Sequence, residues 1–221
     1  MPVPAHAVFL GLVQTEAGQV QAYEAWHADD HLPENLALSG VTHAGRWIAP
    51  PAYRAHRAAA DPALGGAQFL IAYGFADPLE ESLAEWVALE RTLRAAGRMF
   101  AARTLQFGAT YLVEGADVAP GLALSPAALV HRRHRGVHLH LAEAERFGPD
   151  DASRWNATLS LPGVAGGLRL AHSGQPDYGT RHAGRAELLF TQGDPLEVFA
   201  PLARPAGALF SGAFCTAATV S

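Results

Sequence analysis

Two histidines four residues apart, His27 and His31, are the residues whose types and spacing most directly suggest chemistry in this chain. Tyr23 lies four residues before His27, so the three side chains share one helical face and drift by only about 40° per step. An imidazole, with an ordinary pKa of about 6.5, can move protons near neutral pH. The pattern therefore predicts an acid–base site, a metal site or a histidine-rich helix end.

The metal interpretation needs more ligands than this face supplies. The zinc protease pattern places glutamate directly after the first histidine, and here that position is Ala28. A further ligand would have to come from His43, His138 or His140 through folding. We therefore predict no metal and no cofactor, and metal or haem binding remains an alternative.

The acid–base interpretation assigns a role to each polar residue around the pair. Pro33 disfavours helical backbone at the residue before it, which predicts His31 close to a helix end, where backbone carbonyls favour the imidazolium. Arg46 opens the next strand and could hold a carboxylate or enolate oxygen, unless it pairs with Glu34 or Asp30. We predict His31 as general acid–base, with His27 as its helper and Arg46 as a catalytic anion binder.

Aromatic residues of the same half are candidates for substrate binding. Tyr73 and Tyr111 could donate hydrogen bonds to a substrate carbonyl, or could simply belong to the core. His43 precedes Arg46 by three residues, so on a regular strand the two side chains face opposite sides. The predicted substrate-binding set is Tyr23, Trp26, His43, Tyr73 and Tyr111, and the aromatic residues expected to line an apolar cavity are Trp26, Phe69, Trp86 and Phe107.

Hydrophobic periodicity predicts the elements that would position these residues. Strands are predicted at 7–14, 41–49, 67–76 and 104–114, and helices at 19–32 and 78–99, in the order β-α-β-β-α-β. The same order recurs between 136 and 220. Leu38, Gly40, Val41 and Arg46 return 123 residues later as Leu161, Gly163, Val164 and Arg169, which indicates an internal repeat. An ungapped offset puts Asp150 and Arg154 opposite His27 and His31, so the histidine pair is not duplicated.

This order, together with the motif after the first strand, resembles the dimeric α+β barrel superfamily and most closely its EthD-like branch. The motif residues are Trp26, His31, Pro33, Gly40, Arg46 and Trp47. The resemblance implies an α+β fold of two ferredoxin-like β-α-β-β-α-β repeats that form an intrachain barrel. Residues 1–115 would be the first domain with the active cavity, 116–127 a linker, and 128–221 a second, degenerate domain. The superfamily includes cofactor-free cyclases, isomerases, lyases and monooxygenases, and some haem proteins.

Composition excludes several functions. A formal net charge of -5 without a basic run predicts no nucleic-acid partner. All 16 basic residues are arginine, so lysine Schiff-base chemistry and a Walker-A lysine are excluded. Cys215 is the single cysteine and can form no intrachain disulfide. No apolar run is long enough for a membrane span, and we predict a cytoplasmic monomer or homodimer that acts on a small-molecule substrate.

The predicted function is a cofactor-independent lyase, isomerase or cyclase that uses histidine acid–base chemistry on a small apolar or aromatic carbonyl compound. Two alternatives remain open at this point. One is a haem- or metal-dependent oxidoreductase. The other is a non-catalytic small-molecule-binding or stress protein.

Overall fold

The computed structural model describes residues 5–144, 147–179, 181–200 and 208–216. Its strands are β1 (Ala7–Thr15), β2 (Val41–Ile48), β3 (Ala58–Ala59), β4 (Phe69–Phe75), β5 (Arg103–Val118), β6 (Gly136–Ala142), β7 (Val164–His172), β8 (Arg185–Thr191) and β9 (Ala208–Thr216). The helices are α1 (Val20–Trp26), α2 (Leu32–Leu36), α3 (Pro51–Ala55), α4 (Pro62–Gly66), α5 (Leu79–Ala95), α6 (Pro126–Leu129), α7 (Pro149–Leu159) and α8 (Pro195–Phe199), with a π-helical segment, His27–His31, between α1 and α2. The last predicted strand ends at 220, which lies outside the described residues.

The fold is a mixed α+β fold built on one large antiparallel sheet. The strands follow the order β2-β4-β1-β5-β7-β8-β6-β9-β3, and a further pairing joins β2 to β9. The first half contributes β2-β4-β1-β5 and the second half contributes β7-β8-β6-β9, which is the same order of corresponding strands. Strand β5 runs to Val118, into the segment predicted as a linker, because its end pairs with β7.

The two faces of the sheet have different coverings. One face carries Leu10 and Leu70 of the first half together with Leu139 and Leu188 of the second, and these side chains form one shared hydrophobic core. The opposite face of the first half carries a second cluster, with Tyr73 among its buried members, packed beneath α1, α2 and α5. The alternation of side chains along each strand produces this division. Among the described residues, no helix is both long enough and apolar enough to cross a membrane.

The helical segment that carries the histidines differs from its prediction. The chain stays helical past Pro33 to Leu36, so His31 does not lie at a helix end. A π-helical turn accommodates Pro33 within the helix. In this turn the backbone N–H of Leu32 donates to the carbonyl of His27, five residues back. The side-chain amide of Asn35 donates to the carbonyl of His31 at 2.6 Å. The expectation that exposed carbonyls favour the His31 imidazolium was therefore wrong.

Helix α5 lies close to the turn before β2, and this contact sets the position of the helix over the sheet. The backbone N–H of Gly40 donates to the Glu85 carboxylate at 3.1 Å. A Cβ at position 40 would lie 2.5 Å from Oγ and 2.8 Å from Cα of Ser82, which is far inside van der Waals contact. The Ser82 hydroxyl in turn donates to the carbonyl of Ala76 at 3.0 Å, so the side chain is not free to move aside.

Replacing Gly40 by alanine should therefore destabilise the fold by about 1–3 kcal/mol, the usual cost of overpacking a closed contact. Gly65→Ala is the matched control, because its new Cβ would meet only Ala59 at 3.6 Å. Urea unfolding of both variants measures the difference. Equal stabilities of the two variants would mean that α5 and the turn before β2 can move apart at little cost in free energy.

Candidate active site

A cavity of about 570 Å³ lies between the sheet of the first half and helix α5. This volume is within the range of small-molecule sites. The walls are mainly apolar, and a few polar side chains reach them. The residues that line the cavity include His31, Tyr73, Trp86, Glu90, Arg103 and Tyr178.

His31 reaches the cavity from the π-helical segment. Its imidazole stacks on the Trp26 indole, with ring centroids 4.6 Å apart and an interplanar angle of 20°. It also meets the rings of His27 and Tyr73 edge-on. The Nδ1 atom is buried and has no hydrogen-bond partner among the described residues. Aromatic rings therefore pack against His31 on several sides, which its predicted place at a helix end did not imply.

His27 lies behind this wall and is fully buried. Its Nε2 atom is 3.0 Å from the hydroxyl of Tyr73, which does line the cavity. Its Nδ1 atom is buried without a partner among the described residues. The structure therefore brings His27, His31 and Tyr73 together, and His27 lies behind the two residues that line the cavity, His31 and Tyr73.

The cavity contains a different arginine from the predicted one. Arg46 donates to the backbone carbonyl of Glu24 at 2.8 Å, lies 3.9 Å from its carboxylate and covers the Phe69 ring, so it is not among the residues that line the cavity. Arg103, at the start of β5, lines the cavity and lies over the Trp26 ring at 5.3 Å. No carboxylate pairs with Arg103 in the part of the chain that the structure describes. The prediction missed Arg103 because it stands one residue before the alternating strand pattern.

The remaining predicted substrate-binding residues do not line the cavity. Tyr23 is fully buried with an unpartnered hydroxyl, and Trp26 donates its Nε1–H to the carbonyl of Arg98. His43 pairs with Gly74 on the opposite sheet face, near His131. Tyr111 belongs to the core shared by the two halves and donates to the carbonyl of Ala183 at 3.2 Å. Of the aromatic residues expected to line the cavity, Trp86 does so, whereas Phe69 and Phe107 are buried in the core.

Burial keeps the two histidines uncharged. It lowers the pKa of His27 to about 2, with Arg46 as the next cause. It lowers the pKa of His31 to about 4, and the positive charge of Arg103 adds to this effect. Burial also raises the pKa of the Tyr73 hydroxyl. At neutral pH the cavity therefore presents a neutral imidazole, a neutral phenol and the Arg103 guanidinium, beside the Glu90–Arg94 ion pair on its wall.

The histidines do not fit the pattern of metal or haem ligands. A histidine that binds a metal through one ring nitrogen usually donates the other N–H to a carboxylate, a carbonyl or water. The Nδ1 atoms of His31, His27, His138 and His140 are all buried without such an acceptor among the described residues. These histidines therefore do not support a mechanism that depends on a metal or a haem.

The corresponding region of the second half contains paired charges. Arg154 binds both carboxylate oxygens of Glu187 at 2.8 and 2.5 Å and also contacts Asp151. Burial raises the pKa of Asp151, but hydrogen bonds from Gly148 and Arg185 outweigh it and lower the pKa to about 2. The side chain of Asp150, which was aligned with His27, lies outside the described side chains. A network of ion pairs therefore stands where the first half has neutral histidines.

Comparison with solved structures supports the fold. The chain is similar to an anthrone oxidase-like protein, with a TM-score of 0.58 and 11% identity over 97% of this chain and 92% of that one. It is also similar to an encapsulated DyP-type peroxidase from Mycobacterium smegmatis, with a TM-score of 0.52 and 11% identity over 98% and 96%. A third is a DypB variant from Rhodococcus jostii in complex with heme, with a TM-score of 0.53 and 9% identity over 96% and 92%.

The structural neighbours have a ferredoxin-like α+β fold, so the comparison supports the mixed α+β fold that the sequence predicted. No family model and no curated protein matches the chain. At these identities the likeness describes the fold and not the reaction.

The buried neutral histidines should make the fold sensitive to acid. A histidine with a lowered pKa binds fewer protons in the folded chain than in the unfolded chain, where its pKa is about 6.5, so stability falls as the pH drops below that value. Each such group contributes a slope of about 1.4 kcal/mol per pH unit. For His27 the loss should continue down to its folded pKa of about 2.

His27→Phe should reduce the loss of stability between pH 6 and pH 5 by about 1 kcal/mol relative to the wild type, since one such group is removed. Urea unfolding at the two pH values gives the comparison. If both proteins lose the same stability, His27 either is protonated in the folded state or never titrates in this range when unfolded.

Proposed function

We propose that the chain is an oxidoreductase that needs no cofactor and oxidises an enolisable aromatic ketone with molecular oxygen. The observation that carries this proposal is the apolar cavity in which a neutral imidazole, a phenol and an unpaired guanidinium meet. The names of the neighbours reported above describe an oxidase-like protein and peroxidases, which favours an oxidoreductase over the lyase, isomerase or cyclase expected from the sequence. Anthrone, an aromatic ketone with an acidic CH₂ group, is the substrate type that one of these names suggests.

His31 acts as the base in this proposal. It takes a proton from the CH₂ carbon at Nε2, while Nδ1 carries the other ring proton. Burial of the imidazole and, next, the positive charge of Arg103 lower the pKa of His31 and weaken it as a base before the substrate binds. As negative charge develops on the substrate, it offsets the charge of Arg103 and stabilises the imidazolium. Proton transfer is therefore favoured mainly when the ketone occupies the cavity.

Tyr73 and Arg103 receive the oxygen of the forming enolate. When His27 carries its proton on Nε2, it donates to the Tyr73 oxygen, and the Tyr73 O–H is then free to donate into the cavity. Tyr73 supplies a neutral donor, and Arg103 supplies a full positive charge in an environment of low polarity. Such preorganised donors stabilise an oxyanion strongly. His27 is thus a positioning residue that orients Tyr73.

Oxygen is the co-substrate of the following step. The enolate carbon is oxidised by O₂, and the CH₂ group becomes a carbonyl. One oxygen atom enters the product, and the other leaves as water with the two hydrogens of the CH₂ group. The balance is one ketone and one O₂ giving one quinone and one water. Apolar walls, including Phe9, Ile71 and Leu93, suit both the flat rings and the oxygen molecule.

We also infer that the chain is a tandem duplication whose halves close into one α+β barrel. The identical order of corresponding strands in each half and the pairing of β2 with β9 support this inference. A single chain then provides both sheets, so no partner subunit is required. The EthD-like branch remains part of this proposal through the motif around Trp26, His31 and Gly40.

The decisive experiment uses anthrone, with oxygen uptake and quinone absorbance as readouts. His31→Ala and His31→Phe should each lower the rate by about 10²- to 10⁴-fold, the usual contribution of a general base. The Phe variant retains a ring that can stack on Trp26, so it separates chemistry from packing. Both variants should still bind anthraquinone, the product, which O₂ does not oxidise further, with nearly the wild-type affinity.

Several outcomes would overturn the proposal. Oxidation at the parental rate in both His31 variants would remove the base from the mechanism. Binding without any turnover in the wild type would indicate a sequestering protein instead. Stoichiometric haem or metal in the purified protein, seen by its absorbance spectrum and by metal analysis, would support the cofactor-dependent oxidoreductase.

Two arginines provide a second test. Arg103→Gln should lower kcat/KM by about 10²-fold, because an oxyanion donor of this kind contributes roughly 3 kcal/mol to the transition state. Arg46→Gln is the matched control and should leave kcat/KM nearly unchanged, since Arg46 is bound to Glu24 outside the cavity. If kcat/KM falls further in Arg46→Gln than in Arg103→Gln, at equal stability, Arg46 and not Arg103 would be the residue that binds the oxyanion.

A further inference from the structure

The second half supplies one wall of the cavity in the first half. The loop between β7 and β8 reaches across to β5, where the N–H of Gly108 donates to the carbonyl of Tyr178 at 2.9 Å, and the N–H of Tyr178 donates back at 2.6 Å. The Tyr178 ring meets Phe9 edge-on at 5.8 Å and lines the cavity. Yet 42% of Tyr178 is exposed, which is unusual for a large aromatic side chain in this chain.

The backbone around Tyr178 allows this close approach. Gly179 has φ +100, a conformation that other residues rarely adopt, and a Cβ there would lie 2.9 Å from the carbonyl oxygen of Gln106. Ser173 N–H donates to the carbonyl of Thr110 at 3.0 Å, so the loop follows β5 at two points. The position of Tyr178 is therefore fixed by backbone contacts as well as by its ring.

A cluster of three side chains holds the loop together. The Asp177 carboxylate lies 2.7 Å from Nε2 of His172 and 2.7 Å from Nδ1 of His182. These ligand atoms lie within 4.8 Å of one another, close enough for a metal ion. However, Nδ1 of His172 accepts a hydrogen bond from Gly174 N–H, so its proton must be on Nε2, facing Asp177. The cluster is thus satisfied by its own hydrogen bonds, and His172 offers no free lone pair to a metal.

We propose that Tyr178 is a substrate-contacting, specificity-determining residue of the first half's cavity, and that the His172–Asp177–His182 cluster is the clasp that positions it. This inference rests on the proposed function for its ligand class, a flat aromatic ketone. A cavity wall that includes the rings of Tyr178 and Trp86 favours planar ligands through stacking and edge contacts. The tyrosine hydroxyl is not required for this role, because the ring provides the contact.

The test uses anthraquinone-2-carboxylate, a flat analogue of the quinone product that O₂ does not oxidise further and whose carboxylate can pair with Arg103. Tyr178→Ala should weaken its binding about tenfold, whereas Tyr178→Phe should stay within about twofold of the wild type. Asp177→Asn should also weaken binding and should raise KM for anthrone with little change in kcat. Asp117→Asn is the matched control: it removes a carboxylate that accepts from the Trp155 Nε1–H, away from the loop, and should leave binding unchanged.

A measurement without ligand tests the clasp separately. Hydrogen exchange at the Gly108 amide should accelerate about tenfold in Asp177→Asn and stay unchanged in Asp117→Asn, because the clasp holds the carbonyl that this amide contacts. If wild-type protein binds no quinone, the ligand class and the proposed function fail together, while exchange still decides the clasp. If Tyr178→Ala binds the probe as tightly as the wild type, Tyr178 does not contact the ligand. If exchange at the Gly108 amide is unchanged in Asp177→Asn, the clasp does not hold the loop. Release of bound zinc by EDTA with faster exchange would show a metal site instead of the hydrogen-bonded clasp.

Discussion

Strand β5 is the element on which both halves depend, because its two ends pair with different partners. Residues 103–112 pair with β1 of the first half, and residues 111–118 pair with β7 of the second. Where β7 is absent, the loop that carries Tyr178 takes its place along the strand. One strand therefore joins the two sheets, starts with the arginine of the cavity and receives a wall of that cavity from the other half. A break in the pairing of β5 would disturb core and site together.

The two halves use the space between sheet and helix differently. In the second half, Arg154 donates to both Glu187 and Asp151, and the charges satisfy one another. In the first half, the two histidines beside the cavity are neutral, and the Nδ1 atoms of His27 and His31 have no partner among the described residues. A closed network of paired charges contributes to structure and leaves little to offer a ligand. Unpartnered groups beside a void are costly to the fold, which is the expected condition of a functional site.

Much of the fold could be predicted from the sequence because strand alternation and helix periodicity are local signals. The helix bearing Tyr23 and His27, the strand bearing Tyr73 and the repeat of strand order all followed from such patterns. Arg103 could not be found in this way, since its place at the cavity depends on the bend of the chain after α5. Tyr178 comes from a loop more than 60 residues away from any other wall residue in sequence, and only the pairing of β5 with that loop places it there. The passage of a helix through Pro33 likewise depended on a π-helical turn that periodicity does not reveal.

In the proposed mechanism, a neutral imidazole suits the role of base because the cavity walls are mainly apolar. A carboxylate in the position of His31 would need a permanent counter-charge, and Arg103 would be consumed in pairing with it. An imidazole is uncharged before the reaction, so Arg103 stays available for the oxygen of the substrate. Charge then appears only as a pair, an imidazolium and an enolate, while the proton moves between them. The Trp26 ring, which lies behind the cavity wall, stacks on His31 and contacts Arg103, so it holds these two groups in a fixed relation.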